Sequence, residues 1–429
     1  MIVGIGCVCS VLGLYPHELM AQGRADNNWI FGSTGQGIRF NFSDDSLADE
    51  TIDALALGQG SSAVATDPRT GDLLFYTDGN QIYDNQGTAV GPILGGNPDG
   101  NQQVVISPVP GTPDQYYVFV NAGGDIVYYT VTMNTATGGL PTVANVSGPD
   151  ATGVNGVSEA MAIIPDPSGD SYWLVSQVPG TSAYEVVQIT DAGPQPSATY
   201  TATGAPPITA TGMSYSPASG QLAVAGPGGV HILNFDPAAA EPLTFNNAPQ
   251  STDAYDVAWS ADGSKLYISS GDGGTVAQYD LLSGNLNPLA SVANANGNYG
   301  LQLGPDGSIY HLYQAAGGEF QLGQITSADS TFNLISYEQA LLEGTDFGGR
   351  RFSQTSPAPD FDFAINVTPS GFCANTPTQI TPSFPPGIPE PDSIVWDLGG
   401  EAFTGISPNI SAEQATPVTA IAYWGDETA

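Results

Sequence analysis

The sequence repeats one turn pattern at nearly regular spacing. Each of six turns, rich in Pro, Asp, Ser and Gly, is followed by a short run of apolar and aromatic residues. The glycines that mark these turns are 40, 58, 51, 43 and 44 residues apart. They are Gly71, Gly111, Gly169, Gly220, Gly263 and Gly307. Turn residues that separate short apolar runs predict β-hairpins, so the chain is a series of similar β units.

Residues 71–87, GDLLFYTDGNQIYDNQG, show one such unit in full. Leu73–Thr77 and Ile82-Tyr83 are apolar runs, and Asp78-Gly79-Asn80 lies between them. Asp-Gly supplies the positive φ that a tight hairpin turn requires, while aromatic residues fill the pleated surface on either side. This stretch therefore predicts a hairpin.

A period of about 40–50 residues with three or four short strands is typical of a β-propeller blade. An isolated four-stranded sheet exposes two faces and two edges, and packing the sheets side by side in a ring covers them. We expect an all-β protein with a β-propeller over 23–362, of seven blades, with six or eight as the alternatives. The strands near Trp29–Phe42 and Phe352–Phe363 carry no marker turn, and we expect them to form one composite blade. Only residues 337–343 (YEQALLE) predict a helical turn.

The composition changes after Asp362. Residues 366–393 are rich in Pro, Thr and Ser, and two apolar runs around Trp396 and Trp424 follow. Alternating strands around a buried tryptophan predict a small Ig-like sandwich over 363–429. Trp396–Gly400 (WDLGG) resembles the W-D-F-G-D core of PKD domains and differs from it at Leu398 and Gly400. Because this segment is shorter than an Ig fold of about 100 residues, we expect a truncated domain whose missing part held a partner for Cys373.

Three segments resemble the N-terminal region of large exported surface proteins of the Bacteroidota. They are Asn28–Gly32 (NWIFG), Gly71–Gly79 (GDLLFYTDG) and Asp306–Tyr310 (DGSIY). The resemblance implies a propeller-like region followed by PKD modules and a C-terminal signal for type IX secretion or gliding motility. It therefore implies the secretion machinery as a partner, through a signal beyond residue 429.

The N-terminus and the charge point to an extracellular location. Residues 2–15 are apolar but too short to span a bilayer comfortably, and Ala21 precedes a cleavage position at Gln22, so 1–22 predicts a signal peptide. The net charge is −36 because Lys and Arg number only 6 against 42 acidic residues. Such a field repels phosphates and anionic lipids, which excludes nucleic-acid binding and peripheral membrane binding. After removal of the signal we expect no direct membrane insertion.

The sequence offers few residues for catalysis or metal binding. His231 and His311 lie inside predicted strands without an identifiable acid or nucleophile partner, so we expect packed side chains and no catalytic residues. Asp262 and Asp272 could supply oxygen ligands to calcium, but turn chemistry alone also explains aspartate there. We therefore expect no cofactor other than a possible calcium ion.

Tyrosine is abundant, with 19 residues, and tyrosine rings can stack on the apolar faces of sugars. The alternative is that alternate tyrosines fill the core between blades while their neighbours face outward. The candidates for sugar stacking are Tyr116, Tyr128, Tyr299, Tyr310 and Tyr313.

These features favour a non-catalytic secreted or cell-surface protein that acts in adhesion or in binding a glycan or protein ligand. Propellers usually bind at the rim of the central channel, so the link from fold to function is an analogy. One alternative is an extracellular polysaccharide hydrolase or lyase; a carboxylate pair about 5–10 Å apart at the channel mouth would favour it. Another alternative is an architectural component of a surface layer.

Overall fold

The chain forms two compact units, Met20–Pro359 and a second unit that contains Asp360–Ala429. The computed structural model describes residues 26–31, 37–43, 46–52, 57–67, 71–134, 139–145, 148–166, 171–249, 253–289, 295–339, 341, 349–357, 364–368, 378–383, 393–398, 401–407, 409–410 and 418–423. The predicted signal peptide and Cys373 lie outside the described residues.

The first unit begins with a three-stranded antiparallel sheet, followed by six sheets of four or five strands that we number blades 1 to 6. The first sheet consists of β1 (Asn28–Phe31), β2 (Gly37–Ser43) and β3 (Ser46–Ile52). Blade 1 consists of β4 (Ser62–Thr66), β5 (Leu73–Thr77), β6 (Ile82–Asp84) and β7 (Ala89–Val90). Blade 2 consists of β8 (Val104–Val109), β9 (Thr112–Ala122), β10 (Asp125–Asn134), β11 (Leu140–Val143) and β12 (Asp150–Ala151).

Blades 3 to 6 are built in the same way, from antiparallel strands that are mostly neighbours along the chain. Blade 3 consists of β13 (Met161–Pro165), β14 (Tyr172–Gln177), β15 (Ala183–Thr190), β16 (Gly193–Pro194) and β17 (Ala198–Thr201). Blade 4 consists of β18 (Gly212–Ser216), β19 (Gln221–Gly226), β20 (Gly229–Phe235) and β21 (Leu243–Asn247). Blade 5 consists of β22 (Asp256–Trp259), β23 (Lys265–Ser269), β25 (Val276–Asp280) and β26 (Leu286–Pro288).

Blade 6 takes one strand from within the blade 5 sequence, because β24 pairs with β27. Blade 6 consists of β24 (Gly271–Asp272), β27 (Gly297–Leu303), β28 (Ile309–Gln314), β29 (Phe320–Thr326) and β30 (Ser336–Glu338). A short 3-10 helix, Phe332–Leu334, connects β29 to β30. After it, β31 (Ser353–Thr355) pairs in parallel with β4 of blade 1.

The marker turns have the conformation that their glycines predict. Five of the six marker glycines have φ between 62° and 77°, a region that favours glycine, and Gly169 lies outside the described residues. The hairpin predicted at 71–87 is confirmed, because β5 pairs with β6 in antiparallel register. Between them the Asp78 carboxylate accepts hydrogen bonds from the backbone N–H groups of Asn80 and Gln81, at 2.9 and 2.7 Å.

Successive blades pack face to face through shared hydrophobic clusters. Five clusters join blade 1 to 2, 2 to 3, 3 to 4, 4 to 5 and 5 to 6. Tyr116 and Tyr117, adjacent in β9, belong to the clusters toward blade 1 and blade 3 respectively. Because side chains alternate across a strand, both faces of an interior blade are covered by neighbouring sheets. This is the packing of a β-propeller.

Both ends of the propeller segment fill the gap between blade 6 and blade 1. Trp29 packs edge-on against Tyr310 of blade 6 and against Phe352, with ring centroids 5.2 and 5.0 Å apart. The next residue, Ile30, belongs to a cluster with blade 1. The Ser353 hydroxyl accepts a hydrogen bond from the Ile30 N–H and donates one to the Ile30 carbonyl, at 2.8 and 2.9 Å. The ring is thus closed by residues more than 300 positions apart in sequence.

The described chain is therefore all-β, with six blades in a propeller arrangement. The prediction of seven blades is not confirmed. β31 belongs to the sheet of blade 1, where it pairs with β4, and β1, β2 and β3 form a separate sheet of their own. The helical turn predicted at 337–343 is wrong where the structure describes it. Tyr337 and Glu338 lie in β30, where they pair with Ile325 and Gln324 of β29.

The second unit contains two three-stranded sheets. One is β32 (Ala364–Thr368), β33 (Thr378–Ser383) and β36 (Asn409–Ile410); the other is β35 (Glu401–Thr404), β34 (Ser393–Leu398) and β37 (Val418–Tyr423). Trp396 is fully buried, and its Nε1–H donates to the Gly405 carbonyl at 2.7 Å. The assignment of this unit as a PKD or Ig-like sandwich stays a prediction.

We expect Trp29→Ala to destabilise the propeller strongly, because it removes the largest side chain from the closure between blades 6 and 1. Truncating a buried Trp or Phe typically lowers the free energy of unfolding by about 3–5 kcal/mol. Urea unfolding measures the change. The control is Leu282→Ala at a 96% exposed position, where a change within about 0.5 kcal/mol is expected. Equal, small effects of the two variants would contradict the closure.

Candidate functional site

Residues 349–357, which we call the closing segment, follow blade 6. They place Arg351 near the starts of β8 and β22, the first strands of blades 2 and 5. Arg351 is buried, and its Nη1 lies 3.0 Å from Oδ1 of Asp256 at the start of β22. Its Nη2 donates to the Asn101 side-chain oxygen at 3.0 Å and to the Tyr255 carbonyl at 2.8 Å. The guanidinium also lies over the Tyr255 ring, 3.9 Å from its centroid. Because a buried charge is costly unless it is paired, these contacts fix the closing segment between blades 2 and 5.

Gln102 joins the same segment to three blades. Its Nε2 is within hydrogen-bonding distance of the carbonyls of Met161 (2.8 Å) and Met213 (2.9 Å) and of the side-chain oxygen of Gln354 (2.7 Å). Its own side-chain oxygen accepts from the Met213 N–H at 2.6 Å. Met161 is the first residue of β13 in blade 3, and Met213 is the second residue of β18 in blade 4. This end of the axis is therefore occupied by the protein's own side chains.

An axial cavity of 190 Å³ lies between the innermost strands of blades 2 to 6 and the closing segment. Typical ligand pockets measure about 300–1,000 Å³, so this cavity has room for a small molecule or a few waters. Its polar lining residues are Asp26, Gln102, Ser214, Ser216, Asp256, Ser260, Gln302, Gln354 and Thr355.

Two carboxyl groups line the cavity, and both have partners within the protein. Desolvation raises the pKa of Asp26, and a hydrogen bond with the Thr355 side chain opposes that shift. Burial also raises the pKa of Asp256, against the opposing effects of the Arg351 guanidinium and the Leu301 amide. The Leu301 N–H donates to the second Asp256 oxygen at 3.1 Å. Asp256 is thus held by an ion pair and a backbone donor.

Arg350 lies beside this network but has a different environment. Its guanidinium is over the ring of Tyr299, 5.0 Å from the centroid, and the side chain is partly exposed. Tyr299 contacts Tyr255 edge-on (5.5 Å) and Phe320 at a tilt (6.1 Å), and its hydroxyl donates to the Asp272 carboxylate. Among the described residues no acceptor bonds to the Arg350 side chain, and its Nε is buried without a partner. The result is a cationic group stacked on an aromatic cluster.

The tyrosines that the sequence suggested for sugar stacking are mostly buried. Tyr116, Tyr299, Tyr310 and Tyr313 are each at most 4% exposed, and Tyr128 is half-buried with its ring 5.4 Å from a neighbouring tyrosine. They are distributed over blades 2 and 6, so the structure does not bring them into one site. Sugar stacking by these rings stays a prediction, and the buried rings would first have to become accessible.

The two aspartates suggested for calcium lie apart. Asp262 is in the turn before β23 and Asp272 follows the end of that strand, so the two are at opposite ends of it. The Asp262 carboxylate accepts from the Ser260 hydroxyl and the Ser264 N–H, which is the turn chemistry that the alternative expected. No cluster of three metal-ligating side chains occurs in the part of the chain that the structure describes. Calcium binding stays a prediction.

Both strand histidines are packed inside the blades, as expected. His231 Nε2 faces the Pro206 carbonyl at 2.6 Å and therefore donates, so Nδ1 accepts from the Tyr184 hydroxyl at 2.7 Å. His311 Nδ1 lies 2.9 Å from the Tyr337 hydroxyl. Burial lowers the pKa of His231, and it lowers the pKa of His311 to about 3. Both rings are neutral near pH 7.

Sequence reasoning did not identify Arg350 and Arg351 as site residues. Their partners lie 51 and 95 positions earlier, at Tyr299 and Asp256, and no local pattern predicts such contacts. One signal was available, since two adjacent arginines stand out in a chain with only 6 basic residues. Basic residues that are so rare are expected at positions where a positive charge is required.

Comparisons with known proteins add no functional assignment. Neither the protein-family profiles nor the curated proteins gave a match to this sequence. Among solved structures, a functionally unknown protein from Desulfotomaculum acetoxidans is similar at 13% identity and a TM-score of 0.48, over 77% of this chain and 99% of that one. The propeller domain of Cps50 (Swd1) from Myceliophteria thermophila matches at 12% identity and 0.47, over 70% and 94%.

A protein of Bacteroides uniformis, provisionally assigned as a 6-phosphogluconolactonase, matches at 11% identity and a TM-score of 0.41, over 92% of this chain and 100% of that one. Because all three scores are below 0.5, the fold stated above rests on strand pairing and packing alone. None of the described helices has the length and hydropathy to cross a membrane.

We expect Asp256→Ala to lower the free energy of unfolding by about 3–5 kcal/mol, because it leaves Arg351 buried without a counter-charge. The double variant Asp256→Leu, Arg351→Met removes both charges and should be less destabilised than the single variant. Urea unfolding compares them, with the exposed Asp125→Asn as a control. If the double variant lost as much stability as the single one, the ion pair would not be what holds the segment.

We expect the stability to fall on acidification through His311. The unfolded chain binds a proton near the ordinary histidine pKa of 6.5, whereas the folded chain does so only near pH 3, so stability is lost as the pH drops between these values. At about 1.4 kcal/mol per pH unit, His311 should account for roughly 2 kcal/mol between pH 7 and pH 5.

The measurement is urea unfolding of the wild type and of His311→Gln at both pH values. Buried carboxyls such as Asp78, whose pKa is raised by desolvation, act in the opposite direction but are present in both proteins and cancel. An equal loss of stability in both proteins would show that His311 does not titrate in this way.

Proposed function

We propose that this protein is a non-catalytic binding protein, secreted or held on the cell surface, which uses the loops around its propeller axis for adhesion or ligand binding. The observation that supports this most is that the protein's own side chains fill one end of the axis. Arg351 and Gln102 occupy one end of it through contacts to blades 2, 3, 4 and 5. The cavity of 190 Å³ beside these residues is smaller than a typical ligand pocket, which supports binding of a macromolecular ligand on the outer loops.

An extracellular polysaccharide hydrolase or lyase remains the second candidate, because Asp26 and Asp256 line one cavity. Such an enzyme needs one carboxyl group as an acid and another as a base or nucleophile at the substrate. Asp256 instead pairs with Arg351 and the Leu301 amide. These facts favour the binding protein.

The proposal includes two structural assignments, a seventh blade in the propeller and the type of the second unit. We infer that β31 and the sheet β1–β2–β3 act together as a composite seventh blade, supported by the contacts of Trp29 with Phe352 and of Ile30 with Ser353. We also infer that the second unit is a PKD or Ig-like spacer, supported by the buried Trp396 between short strands. In this arrangement the propeller is the part that meets a ligand.

A glycan array tests the proposal, probed with the full chain with and without calcium and paired with a polysaccharide-degradation assay. We expect binding to a subset of glycans and no release of sugar. Reproducible sugar release that disappears in Asp26→Asn or Asp256→Asn would establish the enzyme instead. Ordered self-assembly without binding of any glycan or protein ligand would favour the architectural role.

A further inference from the structure

Arg350 differs from the other basic residues whose side chains the structure describes. Lys265 and Arg351 are buried and paired with Asp280 (3.3 Å) and Asp256 (3.0 Å). Arg350 is partly exposed, and among the described residues its side chain has neither a hydrogen-bond acceptor nor an ion-pair partner. A guanidinium carries five N–H donors; the Nε–H of Arg350 is buried, and the Nη groups have no acceptor among the described residues, so they are the donors that an external acceptor would meet.

The position of Arg350 is fixed from both ends. Its backbone N–H donates to the Gln59 carbonyl at 2.8 Å, and its own carbonyl lies against Gly300 of β27. Its guanidinium is stacked on Tyr299, whose ring is in turn fixed by its hydroxyl bond to Asp272. Stacking on an aromatic face holds the plane of the guanidinium while its edge remains available for a bidentate partner.

The backbone around this cluster leaves space for the aromatic rings. A Cβ at Gly297 would lie 2.4 Å from the Tyr299 ring, so only glycine at this position leaves room for the ring of the tyrosine two residues further along β27. Gly271, with φ of 76°, lies against the ring of Tyr255. The rings of Tyr255 and Phe320 are themselves partly exposed. The guanidinium is thus part of a preformed aromatic surface.

We propose that this surface, Arg350 with Tyr255, Tyr299, Phe320 and Asp272, binds an acidic saccharide through the carboxylate of a uronic-acid unit. A carboxylate matches the fork of a guanidinium in a bidentate pair, and the apolar face of a sugar ring matches an exposed aromatic edge. The exposed Asp272 carboxylate accepts hydrogen bonds from sugar hydroxyls, whereas an ionised acidic side chain carries no donor for it. This favours an acidic saccharide over an acidic peptide. The inference rests on the proposed binding function and names its ligand class.

The test uses one oligosaccharide in two forms, a xylotetraose that carries a single glucuronic-acid unit and its carboxyl-reduced product, in which the carboxylate has become a hydroxymethyl group. Isothermal titration calorimetry of the full chain should show binding of the acidic form, and binding at least tenfold weaker for the reduced form. Arg350→Gln should weaken binding of the acidic form at least tenfold. Arg350→Lys keeps the charge without the bidentate fork and should bind with intermediate affinity.

Thr244→Glu is the matched control, since it makes the same one-unit change in net charge at an exposed position on the outer strand of blade 4. It should leave the affinity unchanged. Thermal unfolding of each variant shows that the fold is retained; because Arg350→Lys keeps a positive charge beside the Tyr299 ring, a folding defect in Arg350→Gln alone does not remove the test.

Equal binding of the two saccharide forms, or binding insensitive to Arg350, would overturn the inference while leaving the proposed binding function intact. Tighter binding of a tetrapeptide with a single glutamate than of the acidic saccharide would overturn the saccharide assignment. If neither these probes nor any arrayed glycan or protein ligand bound the wild type, the inference and the proposed function would fail together.

Discussion

The structure depends on one constraint, that every blade has two apolar faces and both must be covered. In most folds an antiparallel sheet turns one face to water, whereas here Tyr116 and Tyr117 of one strand are buried against different neighbours. A row of such sheets always leaves two faces uncovered at its ends. Closing the ring covers them, and Trp29 with Phe352 completes the closure between blade 6 and blade 1.

Closure by the chain ends has a consequence for the axis. The residues that follow blade 6 must return to the centre of the ring, and this return brings Arg351 into a buried position. A guanidinium stays charged at any accessible pH, so the axis has to supply Asp256, the Tyr255 carbonyl and the Asn101 oxygen. The contacts that pair the Arg351 guanidinium also fill part of the space on the axis. Closure of the ring therefore also determines which side chains lie on the axis.

The repeating units could be predicted from the sequence because their determinants are local. The φ of Gly71 or Gly79 and the bonds of Asp78 within its turn involve residues only a few positions apart. The burial of both Tyr116 and Tyr117 could not be predicted from alternation, which assumes one exposed face. The helical turn at 337–343 failed for a similar reason: pairing of Tyr337 with Ile325 across the edge of blade 6 overrides the local helix preference.

The candidate site shows where composition is informative and local pattern is not. In a protein of net charge −36, each positive charge is surrounded by an excess of carboxylates, and pairing is the expected state for any arginine. Arg351 follows that expectation. Arg350, its neighbour in sequence, lies over the ring of Tyr299. The carboxylate of Asp272 accepts a hydrogen bond from the hydroxyl of that tyrosine. Among the described residues no carboxylate pairs with Arg350, and the partner that fits a stacked guanidinium is itself a carboxylate.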